Sequence, residues 1–157
     1  MRVGSTRKLA VVCVSAAIMA LASCATIQRS RDQSDVEAVA KLINDRQPQK
    51  LAAMSSTPFL VDGEIVALKG DVTSFWSGIV KAGFRVEGAT LGQGSALTGE
   101  SYKQFADTME VKTFFAQYVK KDARILEMKT STSGDRILLI LQERGLSKTI
   151  YGFKGPF

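Results

Sequence analysis

Histidine is absent from this 157-residue chain, and only two cysteines are present. Imidazole and thiolate are the main protein ligands of zinc, copper and iron, so the composition argues against a transition-metal site. The acidic residues are scattered singly, and no Asp-x-Asp-x-Asp-Gly run is present to form a calcium-binding loop. We therefore predict no metal site, no cofactor and no histidine-dependent catalysis.

Long apolar runs are also scarce, apart from residues 9–21 near the N-terminus. This run has 13 residues, whereas a membrane-spanning helix needs roughly 20. It follows Arg2, Arg7 and Lys8 and ends in Leu21-Ala22-Ser23-Cys24. A basic segment followed by a short apolar run is typical of a secretory signal peptide rather than of a transmembrane anchor.

Leu21-Ala22-Ser23-Cys24 resembles the lipobox of bacterial lipoproteins, in which small residues precede a cysteine that becomes acylated. The resemblance implies that residues 1–23 are a lipoprotein signal peptide, that Cys24 is the lipid-attachment residue, and that the lipid bilayer is a partner. It also implies a bacterial cell-envelope location. Ala25, where aspartate would be a retention signal, favours the outer membrane in a two-membrane organism. Ordinary secretory cleavage near Ala20-Leu21-Ala22, with Cys24 left free, is the alternative.

Residues 24–157 carry 18 lysines and arginines against 15 acidic residues, a net charge of +3. No basic stripe interleaved with aromatic residues is present, so we predict no nucleic-acid partner. With Cys13 removed and Cys24 acylated, no disulfide is available. The chain is thus predicted to have a lipidated N-terminus and polar tether at residues 24–33, followed by one domain at residues 34–157.

The sequence predicts two helices at the start of this domain. Ser34-Asp35-Val36-Glu37 has the spacing of a capping box and predicts a helix that begins at Ser34. Pro48 ends this helix, because proline cannot continue it. Residues 48–54 are predicted to form a second, short helix with Leu51 facing inward.

A β-hairpin follows, because residues 57–61 and 64–68 flank Asp62-Gly63, a pair typical of a type I′ turn. Asp71 is then predicted to cap a helix that Gly83 ends. Its broad apolar face consists of Val72, Phe75, Trp76, Ile79 and Val80. Trp76 is predicted to be a core residue rather than a ligand platform.

The middle of the chain is rich in glycine. Residues 84–91 are predicted to form a strand, and Gly92-Gln93-Gly94 a flexible loop that matches no phosphate-binding motif. Residues 101–120 predict one or two helices, with Thr108 as a cap for the second. The alternative is a strand over residues 109–119.

Three strands, at residues 123–130, 136–142 and 148–153, are predicted to form an antiparallel meander at the end of the chain. Residues 137–141 are apolar without alternation. This pattern indicates a central strand covered on both faces, by helices on one side and by a further element, pocket or partner on the other.

This order of elements predicts an α+β fold with helices packed on one face of a curved, mostly antiparallel sheet. In the order of its secondary-structure elements the chain resembles the NTF2-like and SnoaL-like families, whose cone-shaped sheet wraps an N-terminal helix. A cystatin-like fold and a wholly separate lipoprotein fold are open alternatives. The extra helical segment within residues 101–120 departs from the simplest NTF2-like pattern.

The NTF2-like resemblance implies isomerases, dehydratases or non-catalytic binding domains, and it assigns no catalytic residue here. The candidates for an apolar proton-transfer pocket are Asp71, Asp107, Tyr102, Tyr118 and Tyr151, each of which also has a structural explanation. We therefore expect a binding or assembly domain for an envelope protein or an apolar ligand. The alternatives are a structural lipoprotein and an envelope enzyme with such a pocket. The oligomeric state is left open.

Overall fold

The computed structural model describes residues 6–130, 135–145 and 147–156, with side chains described from Ala25 onward. Within these residues the helices are α1 (Thr6–Asn44), α2 (Pro48–Met54), α3 (Lys69–Lys81) and α4 (Met109–Gln117), with a 3-10 turn at Ser101–Gln104. The strands are β1 (Ser55–Val61), β2 (Glu64–Val66), β3 (Thr90–Ala96), β4 (Arg124–Lys129), β5 (Arg136–Arg144) and β6 (Ser147–Lys154).

These six strands form one curved, unclosed sheet in the order β2-β1-β6-β5-β4-β3. Neighbouring strands are antiparallel except β1 and β6, which are parallel. The last three strands form the predicted meander, and β5 lies between β6 and β4 as a central strand. The predicted α+β fold with a curved and mostly antiparallel sheet is confirmed. The helices do not all pack on one face as predicted, because α4 lies on the face opposite to α1, α2 and α3.

The larger core lies between one face of the sheet and the helices α1, α2 and α3. Trp76 is fully buried in it, and its ring lies against those of Phe59, Phe75 and Phe153, with centroids 4.9 to 5.9 Å apart. The indole Nε1–H donates a 2.8 Å hydrogen bond to the hydroxyl of Ser55, so its polar edge is satisfied inside the core. The prediction that Trp76 is a core residue is confirmed.

A second core lies on the opposite face of the sheet, beneath α4 and the 3-10 turn. Successive residues of β5 alternate between the two cores: Leu139 and Leu141 belong to the first, Leu138 and Ile140 to the second. The apolar run of β5 is therefore unbroken because both faces of the strand are buried, as predicted. The segment around α4 covers its second face. Burial of such aliphatic side chains stabilises the fold by about 2 kcal/mol each.

The hairpin and the short helix are confirmed. Val61 pairs with Glu64 across Asp62-Gly63, whose φ values of 50° and 99° suit a type I′ turn. Helix α2 begins at Pro48, and Leu51 is fully buried. Strand β1 follows α2 without a break.

The predicted helix start at Ser34 is wrong. Helix α1 continues through this position, and Ser34 is exposed. Residues 25–33, predicted to be a polar tether, are helical, and Asp32 is 2% exposed. Ion pairs from Asp32 to Arg124 and from Asp35 to Lys148 dock this part of α1 on the sheet, which the local capping pattern does not reveal. In the described part of the chain, no helix is both long and apolar enough to span a bilayer.

The predicted strand at residues 84–91 and the predicted loop at Gly92-Gln93-Gly94 are both wrong. Strand β3 is Thr90–Ala96, so the glycines lie inside a strand that pairs with β4. Space explains them: a β-carbon at Gly92 would lie 2.6 Å from Lys129 Cε, and one at Gly94 would overlap the Asp32 carboxylate. These glycines make room for side chains that cross the sheet edge.

Two further helix predictions have opposite outcomes. Helix α3 begins at Lys69 with Leu68 as its N-cap, so the prediction that Asp71 caps it is wrong. The Lys69 ammonium donates a 2.9 Å hydrogen bond to the Ser55 carbonyl, which holds the first turn against β1. Thr108 does cap α4, since its hydroxyl accepts from the Val111 N–H at 3.3 Å. The alternative strand at residues 109–119 is therefore excluded.

Candidate functional site

An apolar groove lies between α4 and the β1–β2 hairpin, with a volume of about 570 Å³. We call it the α4 groove. It is lined by Pro58, Ile65, Ala67, Met109, Glu110, Thr113, Phe114, Gln117 and Tyr118. Several of the apolar side chains are open to solvent: Met109 is 73% exposed, Tyr118 44% and Ile65 40%. Exposed apolar residues gathered in one groove are typical of a binding surface.

The fold builds one wall of this groove at the edge of the sheet. Strand β2 is only three residues long, and Ile65 pairs with Leu60, so both side chains project from the second face. Leu60 is covered by the second core, whereas Ile65 lies beyond it. Pro58, two residues before Leu60 on β1, projects from the same face and completes this wall.

Helix α4 forms the other wall through two adjacent rows of side chains. Met109, Thr113 and Gln117 form one row at i, i+4 spacing. Glu110, Phe114 and Tyr118 form the next, and Phe114 is the buried member that joins the groove to the second core. Val111 and Phe114 are buried in the second core, and their packing sets which rows of α4 face the hairpin.

The chemistry of the α4 groove is suited to binding. Among its lining residues Glu110 is the one that carries a charge, and it is exposed. Thr113, Gln117 and Tyr118 offer hydroxyl and amide groups beside the apolar surface. No buried carboxylate faces Tyr118 among these lining residues, so the geometry of a proton-transfer pocket is not assembled here.

A second, polar cleft of about 120 Å³ lies between α1 and the end of the sheet. The Arg124 guanidinium donates to both oxygens of Asp32, at 3.0 and 2.8 Å, and the Gln28 amide donates to the same carboxylate at 2.8 Å. Asp35 pairs with the ammonium of Lys148. Burial raises the pKa of Asp35, although Lys148 opposes this shift. The buried carboxylates of this cleft thus serve to dock α1.

Another polar chain runs from the second core to the surface. The Tyr151 hydroxyl donates to the Gln142 side-chain carbonyl at 2.8 Å, and the Gln142 amide donates to Asp122 at 2.7 Å. The Gln142 hydrogen bond lowers the pKa of Asp122, and burial raises the pKa of Tyr151. The hydrogen bonds of this chain hold the Tyr151 and Gln142 side chains in fixed orientations.

The candidate residues from the sequence are scattered in the structure. Asp71 is exposed in the first turn of α3, and Tyr151 lies in the second core. Tyr102 lies in the 3-10 turn near Asp107, where burial and then the Asp107 charge raise its pKa. Of the five candidates, Tyr118 alone lines the α4 groove. Cys24 lies in α1 by its backbone, and its side chain is outside the described set.

Pro58, Ile65, Met109 and Glu110 are groove residues that sequence reasoning missed. The i, i+4 spacing of Met109, Thr113 and Gln117 was the available signal, since it places one apolar and two polar residues on one row. A groove, however, depends on two elements, and the sequence does not show that α4 faces the hairpin.

Comparison with protein-family models, curated proteins and solved structures found no significant match to the chain.

Proposed function

We propose that this chain is a lipid-anchored protein of the bacterial cell envelope whose domain binds an apolar segment of another envelope protein in the α4 groove. The observation that carries the proposal is the exposure of Met109, Tyr118 and Ile65 around one groove of about 570 Å³. Tyrosine and methionine are enriched where proteins bind one another, because they bury large areas and adapt in shape. Glu110 would favour a segment that carries a basic residue beside its apolar ones.

The anchoring half of the proposal is supported by Leu21-Ala22-Ser23-Cys24 and the basic and apolar segments before it. It is tested by metabolic labelling with a fatty-acid probe in the producing cells. Wild-type protein should take up the label and fractionate with membranes, and Cys24→Ala should do neither. Label on the Cys24→Ala variant would place the lipid elsewhere and overturn this assignment.

The binding half is tested by a photo-crosslinking residue placed at Met109 in living cells. We expect a discrete adduct with one envelope protein, and we expect Ile65→Glu to remove it, because a carboxylate in the opposite wall would have to be desolvated on binding. A crosslinker at Lys81, which is exposed at the end of α3, is the matched control.

Several results would contradict the binding proposal. Identical adducts from Met109 and Lys81, or an adduct unaffected by Ile65→Glu, would show that the groove does not select a partner. Folding must be intact in Ile65→Glu, and we expect a loss of about 1 kcal/mol in its free energy of unfolding, because Ile65 is 40% exposed and belongs to neither core. A metabolite-induced thermal shift abolished by Tyr118→Phe would favour the enzyme alternative instead.

A further inference from the structure

One end of the molecule carries the excess positive charge of residues 24–157. This end is where α1 enters the domain and where the connection before β4 and the β5–β6 hairpin lie. The charged side chains that line the clefts at this end are Arg29, Arg31 and Arg124, with Asp32, Asp35, Asp122 and Glu143. Lys148 pairs with Asp35, Lys120 and Arg144 interact electrostatically with Asp122, and Lys121 adjoins Asp122 in the chain. We call this surface the anchor-end face.

Contacts between distant residues bring the anchor-end face together. Asp32 of α1 pairs with Arg124 at the start of β4, and Asp35 pairs with Lys148 at the start of β6. The backbone N–H of Ala123 donates to the Lys120 carbonyl at 3.0 Å, which closes a turn just before β4, and the charges of Lys120 and Arg144 both act on the Asp122 carboxylate.

Charge is distributed unevenly between this face and the remainder of the domain. The face has seven basic and four acidic residues, whereas the remainder of residues 24–157 has 11 of each sign. The net charge of +3 therefore belongs to one end of the molecule. Arg124 and Lys148 are paired with buried carboxylates, so the excess positive charge is carried by Arg29, Arg31, Lys120, Lys121 and Arg144.

Cys24 lies beside this face. It is one helical turn before Gln28, whose amide contacts Asp32 and is therefore part of the docked segment of α1. One helical turn rises about 5.4 Å. If Cys24 carries the lipid, one helical turn separates the lipid-bearing residue from the docked part of α1. The bilayer surface must then lie close to the anchor-end face.

We propose that the anchor-end face lies against anionic lipid headgroups and orients the domain on the membrane; this inference rests on the proposed lipid anchor. Basic side chains near a bilayer are attracted to anionic headgroups over about one Debye length, near 10 Å at moderate salt. The docking of α1 makes the connection stiff, so headgroup contact at this end fixes the tilt of the whole sheet.

The test uses two fluorescent labels at opposite ends of β3. Ala96 pairs with Arg124 at the anchor end, Thr90 pairs with Lys129 at the other, and both are exposed. Six residue steps along a strand separate the labels by about 20 Å. The full anchored protein, as Ala96→Cys or Thr90→Cys, is reconstituted into phosphatidylcholine vesicles with or without phosphatidylglycerol. Headgroup-attached nitroxide lipids then quench labels that lie near the surface.

In vesicles that contain phosphatidylglycerol, we expect stronger quenching of the label at Ala96 than of the label at Thr90. Salt at about 1 M, where the Debye length is about 3 Å, should reduce the difference. Lys120→Gln/Lys121→Gln should also reduce it, and the matched control Lys81→Gln/Arg85→Gln, which removes two exposed charges elsewhere, should not. Equal quenching at the two positions, or a difference unaffected by salt and by the Lys120 and Lys121 changes, would overturn the proposal.

Failure of the anchor is detected separately by mass spectrometry of the N-terminal peptide. If Cys24 carries no acyl group, the proposed anchoring fails, and the face is tested by flotation of the whole chain with the same vesicles. Removal of two basic charges should then weaken binding to phosphatidylglycerol vesicles at least about tenfold in the Lys120 and Lys121 variant. Equal losses in that variant and its control would overturn the proposal on this route too.

Discussion

The carboxylate of Asp32 on α1 accepts hydrogen bonds from both Nε and Nη2 of Arg124 at the start of β4, although the two residues are 92 positions apart. Asp32 is 2% exposed, and the Arg124 side chain is 26% exposed. The pair holds the beginning of the docked helix against the end of the sheet. It therefore links the segment nearest Cys24 to the folding of the domain.

Arg124→Met should lower the free energy of unfolding by about 3 kcal/mol, because it leaves the buried Asp32 carboxylate without its counter-charge. Urea-induced unfolding of the full chain measures the loss. Lys41→Met is the matched control, since it breaks an ion pair with Asp45 that is largely exposed and should cost no more than about 0.5 kcal/mol. Similar losses from the two variants would show that the Asp32–Arg124 pair does not stabilise the docked helix.

Gly94→Ala should also weaken the docking of α1, because the added β-carbon would overlap the Asp32 carboxylate. Either Asp32 or β3 must shift, and we expect a loss of about 1 to 3 kcal/mol in the free energy of unfolding. Gly99→Ala introduces the same methyl group where nothing lies within 4 Å, and it should be close to neutral. Equal stability of the two alanine variants would contradict the close approach between α1 and β3.

Elements whose determinants lie within a few residues could be predicted from the sequence. The Asp62-Gly63 turn and the Thr108 cap are of this kind, since each requires a particular residue at a particular position. The strands of the meander were recognisable from local patterns, and the unbroken apolar run of β5 correctly indicated burial on both faces.

Elements that depend on distant partners could not be predicted. The glycines of β3 suggested a loop, because their role is to accommodate Asp32, Glu127 and Lys129 from other elements. The start of α1 was misplaced for a related reason: the helix upstream of Ser34 is held by ion pairs with β4 and β6. The α4 groove likewise requires two elements to face each other, which no local pattern encodes.

Gly63→Ala tests the hairpin, because backbone strain and crowding both oppose a side chain at this position. Gly63 has a φ of 99°, and an added β-carbon would lie 3.0 Å from the Ala106 Cβ. We expect a loss of about 1 to 3 kcal/mol in the free energy of unfolding. Gly145→Ala is the matched variant, because its φ of 62° imposes strain but nothing lies within 4 Å.

The difference between these two variants combines the contact between the β1–β2 turn and the segment before α4 with the greater strain of a φ of 99° than of 62°. A larger loss for Gly63→Ala is expected, since Ala106 precedes α4 and crowding there would move a wall of the α4 groove. If Gly145→Ala costs as much as Gly63→Ala, the turn is not packed against Ala106.

Asp35 should make the stability depend on pH in the opposite direction from a typical surface ion pair. Its carboxylate is 4% exposed and faces Lys148, Glu143 and Asp32, and burial raises its pKa above the ordinary value of 3.8 despite the Lys148 ammonium. The folded protein thus holds this proton more tightly than the unfolded chain does. The contribution of Asp35 to stability must therefore decrease as pH rises from 3.8 through the folded pKa, and it is constant above that.

Urea unfolding of wild type and Asp35→Asn, at values from about pH 3 to about pH 7, isolates this contribution. The free energy of unfolding of wild type relative to Asp35→Asn should decrease with rising pH, because only the wild type must ionise a buried carboxyl group. Ser34→Ala, a neighbouring change that does not titrate, should give a curve parallel to wild type.

Lys148→Met removes the ammonium that opposes the shift, so the pH interval of the decrease should widen in that background. If wild type instead gains stability over Asp35→Asn as pH rises, attraction to Lys148 outweighs the cost of burying Asp35, and the ion pair rather than desolvation governs this end of α1.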